Sequence, residues 1–158
     1  MSSQLKQEKY FILYLGTCWG SYVVLRLCEN VNFKAGVSYH PSHSRICELL
    51  EESEEELLKN VKCPQIFMPA DGDHANNFPN GLGILKLLIH IYFSKTYEEL
   101  YFQKFTGKKV LDDVLEVVTF PDMKHGWVTR GDMSDSKVER DVQKGINLAL
   151  SFFAKYMK

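Results

Sequence analysis

The sequence predicts an α/β fold, a mostly parallel sheet of about four strands with helices on both faces. Short apolar runs alternate with helix-length amphipathic stretches from one end of the chain to the other, and no repeat, linker or low-complexity block interrupts them. The runs are continuously apolar, as strands covered on both faces require.

Taken in order, the first strand is predicted over Tyr10 to Leu15 (YFILYL), followed by a helix from about Trp19 to Glu29. The second strand covers Ala35 to Tyr39 (AGVSY), and a helix is expected from Arg45 to Asn60. The third strand is Gln65 to Met68 (QIFM), followed by a helix from Gly83 to Phe105. The fourth strand spans Val114 to Phe120 (VLEVVTF), and a last helix runs from about Lys137 to Tyr156. That last helix has the fullest signature. Ser136 with Glu139 three residues later forms a capping box, and Val138, Val142, Ile146, Ala149, Leu150 and Phe153 share one face. The acidic run Glu48 to Glu56 reads as a solvated helix face rather than a docking site for a basic partner.

The 158 residues are 45% hydrophobic and 25% charged, a composition of one globular domain that excludes disordered, collagenous and disulfide-rich classes. Nineteen Lys and Arg against 20 Asp and Glu leave a formal net charge of -1 and no basic stripe. Nucleic acid and anionic membrane are therefore not expected partners; small molecules or proteins are. The opening MSSQLKQEK is polar and leads into no apolar stretch with a cleavage site, so the expected location is cytoplasmic. The longest apolar run, Leu82 to Phe93, is broken by Lys86 and His90 and is shorter than a membrane span. Cys18, Cys28, Cys47 and Cys63 lack CxxC or zinc-ligand spacing, which predicts free thiols, three of them packed. A dithiol redox protein is excluded on the same ground, and Gly107-Lys108-Lys109 lacks the frame of a phosphate-binding loop. His40 and His43 have no supporting ligand at metal-site spacing, so no metal is expected.

In open parallel sheets, ligands bind beyond the carboxyl ends of the strands. Three such ends are chemically loaded: Gly16-Thr17-Cys18-Trp19-Gly20, Asp71-Gly72-Asp73-His74, and Pro121-Asp122-Met123-Lys124-His125-Gly126-Trp127. They supply a thiol, a carboxylate and an imidazole in that order. The first has the G-x-S-x-G form with Cys in place of Ser, between a strand and a helix, as a nucleophile elbow requires. There Cys18 lies at a helix N-terminus that favours the thiolate, and the Trp19 amide points at a developing oxyanion. Alone, each residue has a plainer reading, Cys18 as a packed thiol and His125 as a loop histidine. Their positions and order favour the catalytic one, because nucleophile, acid, histidine is the order of the α/β-hydrolase arrangement. Asp73, Asp71 and Asp122 compete for the acid. The need to reach the far imidazole nitrogen favours Asp73 over Asp71, and Asp122 would have to fold back across a short turn.

At these residues the sequence resembles the dienelactone hydrolase family, α/β hydrolases with a cysteine nucleophile. Gly16-Thr17-Cys18-Trp19-Gly20 is similar to the family's elbow, Ala35-Gly36-Val37-Ser38-Tyr39-His40-Pro41 to its next strand end, and Phe120 to Trp127 to its histidine segment. Lys62-Cys63-Pro64 leading to Pro69-Ala70-Asp71-Gly72-Asp73 resembles the strand carrying the acid, and places it on Asp73. The resemblance implies a partial α/β-hydrolase fold and hydrolysis of a lactone or small ester. Cys18 attacks, His125 shuttles the proton, Asp73 orients His125, and no metal or organic cofactor is needed. It also sets Tyr39 and Arg130 near the pocket, Arg130 facing a substrate carboxylate. Their plainer alternatives are packing for Tyr39 and a surface salt bridge for Arg130.

By the same resemblance, residues 1–158 are expected to form one domain lacking the family's N-terminal strands, with Tyr10 to Leu15 left as an apolar edge. The absent part would carry the second oxyanion amide, a loss typically costing about 10²- to 10³-fold in turnover. The segment from Ile84 to Phe105 is more aromatic than the family pattern and must bury itself in the fold or in a subunit contact. A rival reading is a non-catalytic, truncated interaction module that pairs its edge strand or the 84–105 helix with itself or another chain. An incomplete gene model would carry both departures.

Overall fold

The computed structural model describes residues 12–84 and 115–157. Four strands form the main sheet: β1 (Ile12–Thr17), β2 (Phe33–Tyr39), β3 (Gln65–Met68) and β5 (Leu115–Val117), in the order β1-β2-β3-β5. Every pairing is parallel. A two-stranded parallel sheet, β4 (Ala70–Asp71) with β6 (Phe120–Lys124), continues from its carboxyl end. The helices are α1 (Gly20–Leu27), α2 (His43–Leu49), α3 (Glu54–Lys59), α4 (Trp127–Arg130) and α5 (Ser136–Tyr156).

The expected α/β architecture is present, with helices on both faces. On one face, Val24, Leu25 and Cys28 of α1 and its end pack with Leu57, Leu58 and Phe67. On the other, Val37, Ile66 and Met68 pack against Val142, Ala149 and Phe152 of α5. Neighbouring residues of one strand, Ile66 and Phe67, thus point to opposite cores, which explains why its run is apolar throughout.

Several element boundaries differ from those predicted; β2 begins at Phe33 rather than Ala35, and α1 is shorter at both ends. The first strand extends past Leu15 to Thr17, and its predicted start at Tyr10 lies outside the described residues. The fourth predicted strand is two, because the chain changes partner: the Val118 amide donates to the Phe67 carbonyl, and the Phe120 amide to the Pro69 carbonyl. Pro69 lacks an N–H and separates β3 from β4 at the same level. The helix predicted over Arg45 to Asn60 is also two. Glu51 takes a left-handed conformation (φ 55°), and the Ser53 hydroxyl accepts from the Glu56 amide to start α3. Glu54 leaves the acidic run's solvated face and turns inward, accepting from Ser44 and from Asn76 Nδ2 (2.6 Å) and standing 3.4 Å from His43 Nε2. Finally, α5 is capped by Asp135, not Ser136. Its buried stripe is Val142, Gly145, Ala149 and Phe152, while Ile146 and Leu150 are exposed. Apolarity alone passes over Gly145, yet that residue lets α5 approach Trp127 and Tyr39 and so sets the helix's rotation.

The helix predicted over Gly83 to Phe105 lies almost wholly outside the described residues. Among those described, no helix is long and apolar enough to cross a membrane.

Candidate active site

The carboxyl end of β1 turns sharply into α1 through Cys18. Cys18 has φ 55°, a conformation that costs a non-glycine residue about 1 to 2 kcal/mol and persists only where its surroundings hold it. Its amide donates to the Tyr39 carbonyl (3.1 Å), and its carbonyl accepts from the amides of Ser21 (3.1 Å) and Ser42 (3.2 Å) and from Ser21 Oγ (2.7 Å). Gly16 is needed because a Cβ there would lie 2.4 Å from the Gly20 carbonyl oxygen; the space around Gly20 itself is open. The elbow thus depends on its first glycine for closeness.

The turn delivers Cys18 Sγ to 3.1 Å from His125 Nε2. His125 Nδ1 lies 2.6 Å from Asp73 Oδ1. Asp73 Oδ2 accepts from the Ala70 amide at 2.8 Å, so both carboxylate oxygens are occupied. The Asp73 side chain has no solvent exposure. Gly126, in the left-handed region at φ 90°, turns the chain directly after His125. The other two carboxylates weighed in the sequence are elsewhere: Asp71 pairs with Lys124 at the surface and Asp122 lies 3.4 Å from Arg140.

The electrostatics of the three groups are coupled. Burial opposes ionisation of Cys18, but hydrogen bonds from His125, Ser42 and the Trp19 amide, with the charge on His125, outweigh it and hold the thiol below its ordinary value. Burial likewise opposes a charged His125, yet its bonds to Asp73 and Cys18 raise it. Both shifts favour a thiolate beside an imidazolium. Asp73 is raised by burial, a rise only partly offset by the Ala70 amide and His125. Such a set can perform nucleophilic attack with proton transfer through one imidazole.

His125 borders two cavities. One, about 260 Å³, is lined by Pro41, Ser42, Arg45, Asp73 and His74. The other, about 290 Å³, is lined by Met123, Trp127, Arg130, Lys137 and Val138. Arg130 makes no ion pair with a carboxylate among the described residues, and its guanidinium lies over Gly126. Tyr39 is buried; its hydroxyl donates to the Gly145 carbonyl (2.9 Å), and its ring edge meets Trp127, so it ties β2 to α5. Cys28, Cys47 and Cys63 are buried free thiols. His40 and His43 point to different neighbours, His125 and Phe67 respectively. Among the described residues, no group of three or more His, Cys, Asp or Glu is placed to hold a metal ion.

Two neighbours of the site were not assigned to it from the sequence, which weighed His40 only as a metal ligand and did not single out Ser42. Ser42 Oγ stands 3.6 Å from Cys18 Sγ. The buried His40 ring meets the His125 ring edge-on at 4.8 Å, and burial, with the charges of His125 and Arg130, pushes its pKa down to about 4. Both follow the carboxyl end of β2, so the strand-end rule applied there would have found them.

The family model for the dienelactone hydrolases matches residues 1–157. The chain belongs to the dienelactone hydrolase family. Membership brings the coarse function with it, that of a hydrolase of the α/β-hydrolase superfamily. Among curated proteins, none matches the chain.

Proposed function

We propose that this dienelactone hydrolase family member cleaves a lactone or small carboxylic ester through a Cys18-His125-Asp73 triad. The observation that carries the reading is the continuous chain of contacts from Asp73 through both nitrogens of His125 to Cys18 Sγ, at 2.6 and 3.1 Å. The Cys18 thiolate attacks the ester carbonyl carbon, and the carbonyl oxygen takes the negative charge beside the Trp19 amide. On collapse the C–O bond breaks, the proton on His125 passes to the departing alkoxide, and an acyl-thioester remains on Cys18. His125 then accepts a proton from water, whose oxygen attacks the thioester. The carboxylic acid leaves, and the thiolate-imidazolium pair is restored. Asp73 stays ionised and fixes the imidazole so that Nε2 faces the sulfur. Arg130, exposed on the cavity beside His125 and without a carboxylate partner among the described residues, suits a substrate that carries its own carboxylate.

The test is turnover of a panel of lactones and activated esters by the wild-type chain and by Cys18→Ala and His125→Ala. Each substitution is expected to remove activity to background. Turnover that survives in Cys18→Ala would assign the nucleophile elsewhere.

A further inference from the structure

Ser42 occupies the N-cap of α2, yet its hydroxyl makes no capping hydrogen bond. The caps of α3 and α5 behave otherwise, Ser53 accepting from the Glu56 amide and Asp135 from the Lys137 amide. The one partner of Ser42 Oγ among the described residues is Cys18 Sγ, at 3.6 Å. Its backbone amide is engaged separately, donating to the Cys18 carbonyl at 3.2 Å and to Ser21 Oγ at 3.0 Å. The side chain is therefore not needed to hold the loop against the elbow, and its hydroxyl is directed at the sulfur.

We propose that Ser42 is a further catalytic residue, whose hydroxyl donates to the Cys18 thiolate and shares its charge with His125. This rests on the reading of Cys18 as the nucleophile. The direction of the bond follows from charge, since a thiolate can only accept and a hydroxyl can donate. His125 Nε2 at 3.1 Å supplies one donor to the sulfur, and Ser42 Oγ supplies another from the β2–α2 connection. The contribution of Ser42 to the lowered Cys18 thiol agrees with this geometry. Of the titratable and charged groups around Cys18, His125 touches it directly, Asp73 and His40 contact the His125 ring, and Arg45 and His74 line the shared cavity. A substitution at Ser42 leaves all of these in place.

Alkylation with iodoacetamide reads the thiolate, because the Sγ–carbon bond forms as iodide leaves. The label at Cys18 is to be followed by mass spectrometry across pH in the wild type, Ser42→Ala, Ser42→Gly and Ser42→Thr, with circular dichroism confirming the fold. The wild-type midpoint is expected well below the free-thiol value of about 8.5. Both Ser42→Ala and Ser42→Gly should move it up by about one unit, a tenfold loss of thiolate at pH values below the midpoint, and Ser42→Thr should restore it. Glycine retains most of the N-cap preference, so the pair separates loss of the hydroxyl from loss of the fold. A wild-type profile in either hydroxyl-free variant, or a Thr variant that behaves like Ala, overturns the proposal. A wild-type midpoint at about 8.5 would instead remove the activated-thiolate reading on which it rests.

Discussion

Asp73 and Asp71 are two residues apart and differ in everything that matters for catalysis. Asp73 is sealed from solvent with one oxygen on His125 and the other on the Ala70 amide, whereas Asp71 is exposed and paired with Lys124. Asp73→Asn presents the wrong partner to His125 Nδ1 and is expected to lower kcat by about 10⁴-fold, the usual cost of losing the acid that fixes a catalytic imidazole. Asp71→Asn removes only a surface ion pair and should leave kcat unchanged. Steady-state kinetics on one activated ester decides this, and the reverse ranking would move the acid to Asp71. In the sequence, the reach an acid needs favoured Asp73 over Asp71. The sequence could not show burial, which depends on the distant His125 segment folding against Asp73. Cys18 was legible from the Gly-x-Cys-x-Gly form, since a strand-to-helix turn of that size leaves its central side chain few directions.

The position of α5 against the sheet is set by one absent side chain. A Cβ on Gly145 would lie 2.8 Å from Trp127 Cη2 and 3.1 Å from Tyr39 Cε1, and the Gly145 carbonyl accepts the Tyr39 hydroxyl. Gly145→Ala therefore has to push the helix off β2 or displace the Trp127 ring. It is expected to destabilise the protein by about 1 to 3 kcal/mol despite the better helix propensity of alanine, as urea unfolding midpoints would show. An unchanged or higher midpoint would mean that the contact yields freely. This is also where periodicity misled. Counting apolar residues brought Ile146 and Leu150 into the buried face, while the real stripe passes through a glycine. The divided helix at Glu51 and the divided strand at Val118 share that origin, because partner changes and left-handed residues leave little trace in hydrophobic pattern.

At the scale of the described molecule, two apolar cores hold the main parallel sheet, and its carboxyl end, continued by β4 and β6, brings together residues separated by more than a hundred positions. That assembly buries a carboxylate at a cost in stability. Burial holds Asp73 above the ordinary carboxylate range, so the folded chain binds this proton more tightly than the unfolded chain does. Its stabilising contribution is complete below the unfolded pKa and is lost as pH rises through the folded value. Asp73→Asn carries no such loss. Relative to wild type it should therefore gain stability as pH rises from the ordinary carboxylate value of about 4 toward neutrality, with kcat still far below that of wild type. Urea midpoints across that range are the measurement, and a variant that loses ground with rising pH would show that the ionised carboxylate is a net support of the fold.

The sequence by itself determined the α/β class, where along the chain the main strands fall, and the positions of thiol, carboxylate and imidazole at strand ends. It could do so because continuous apolar runs and a glycine-flanked turn are local consequences of side-chain type. Only the tertiary structure decided which carboxylate is buried beside His125, that Tyr39 ties α5 to β2, and that Ser42 turns to the sulfur. Those outcomes depend on desolvation and on contacts between distant segments, which exist only once the two cores have closed on the sheet.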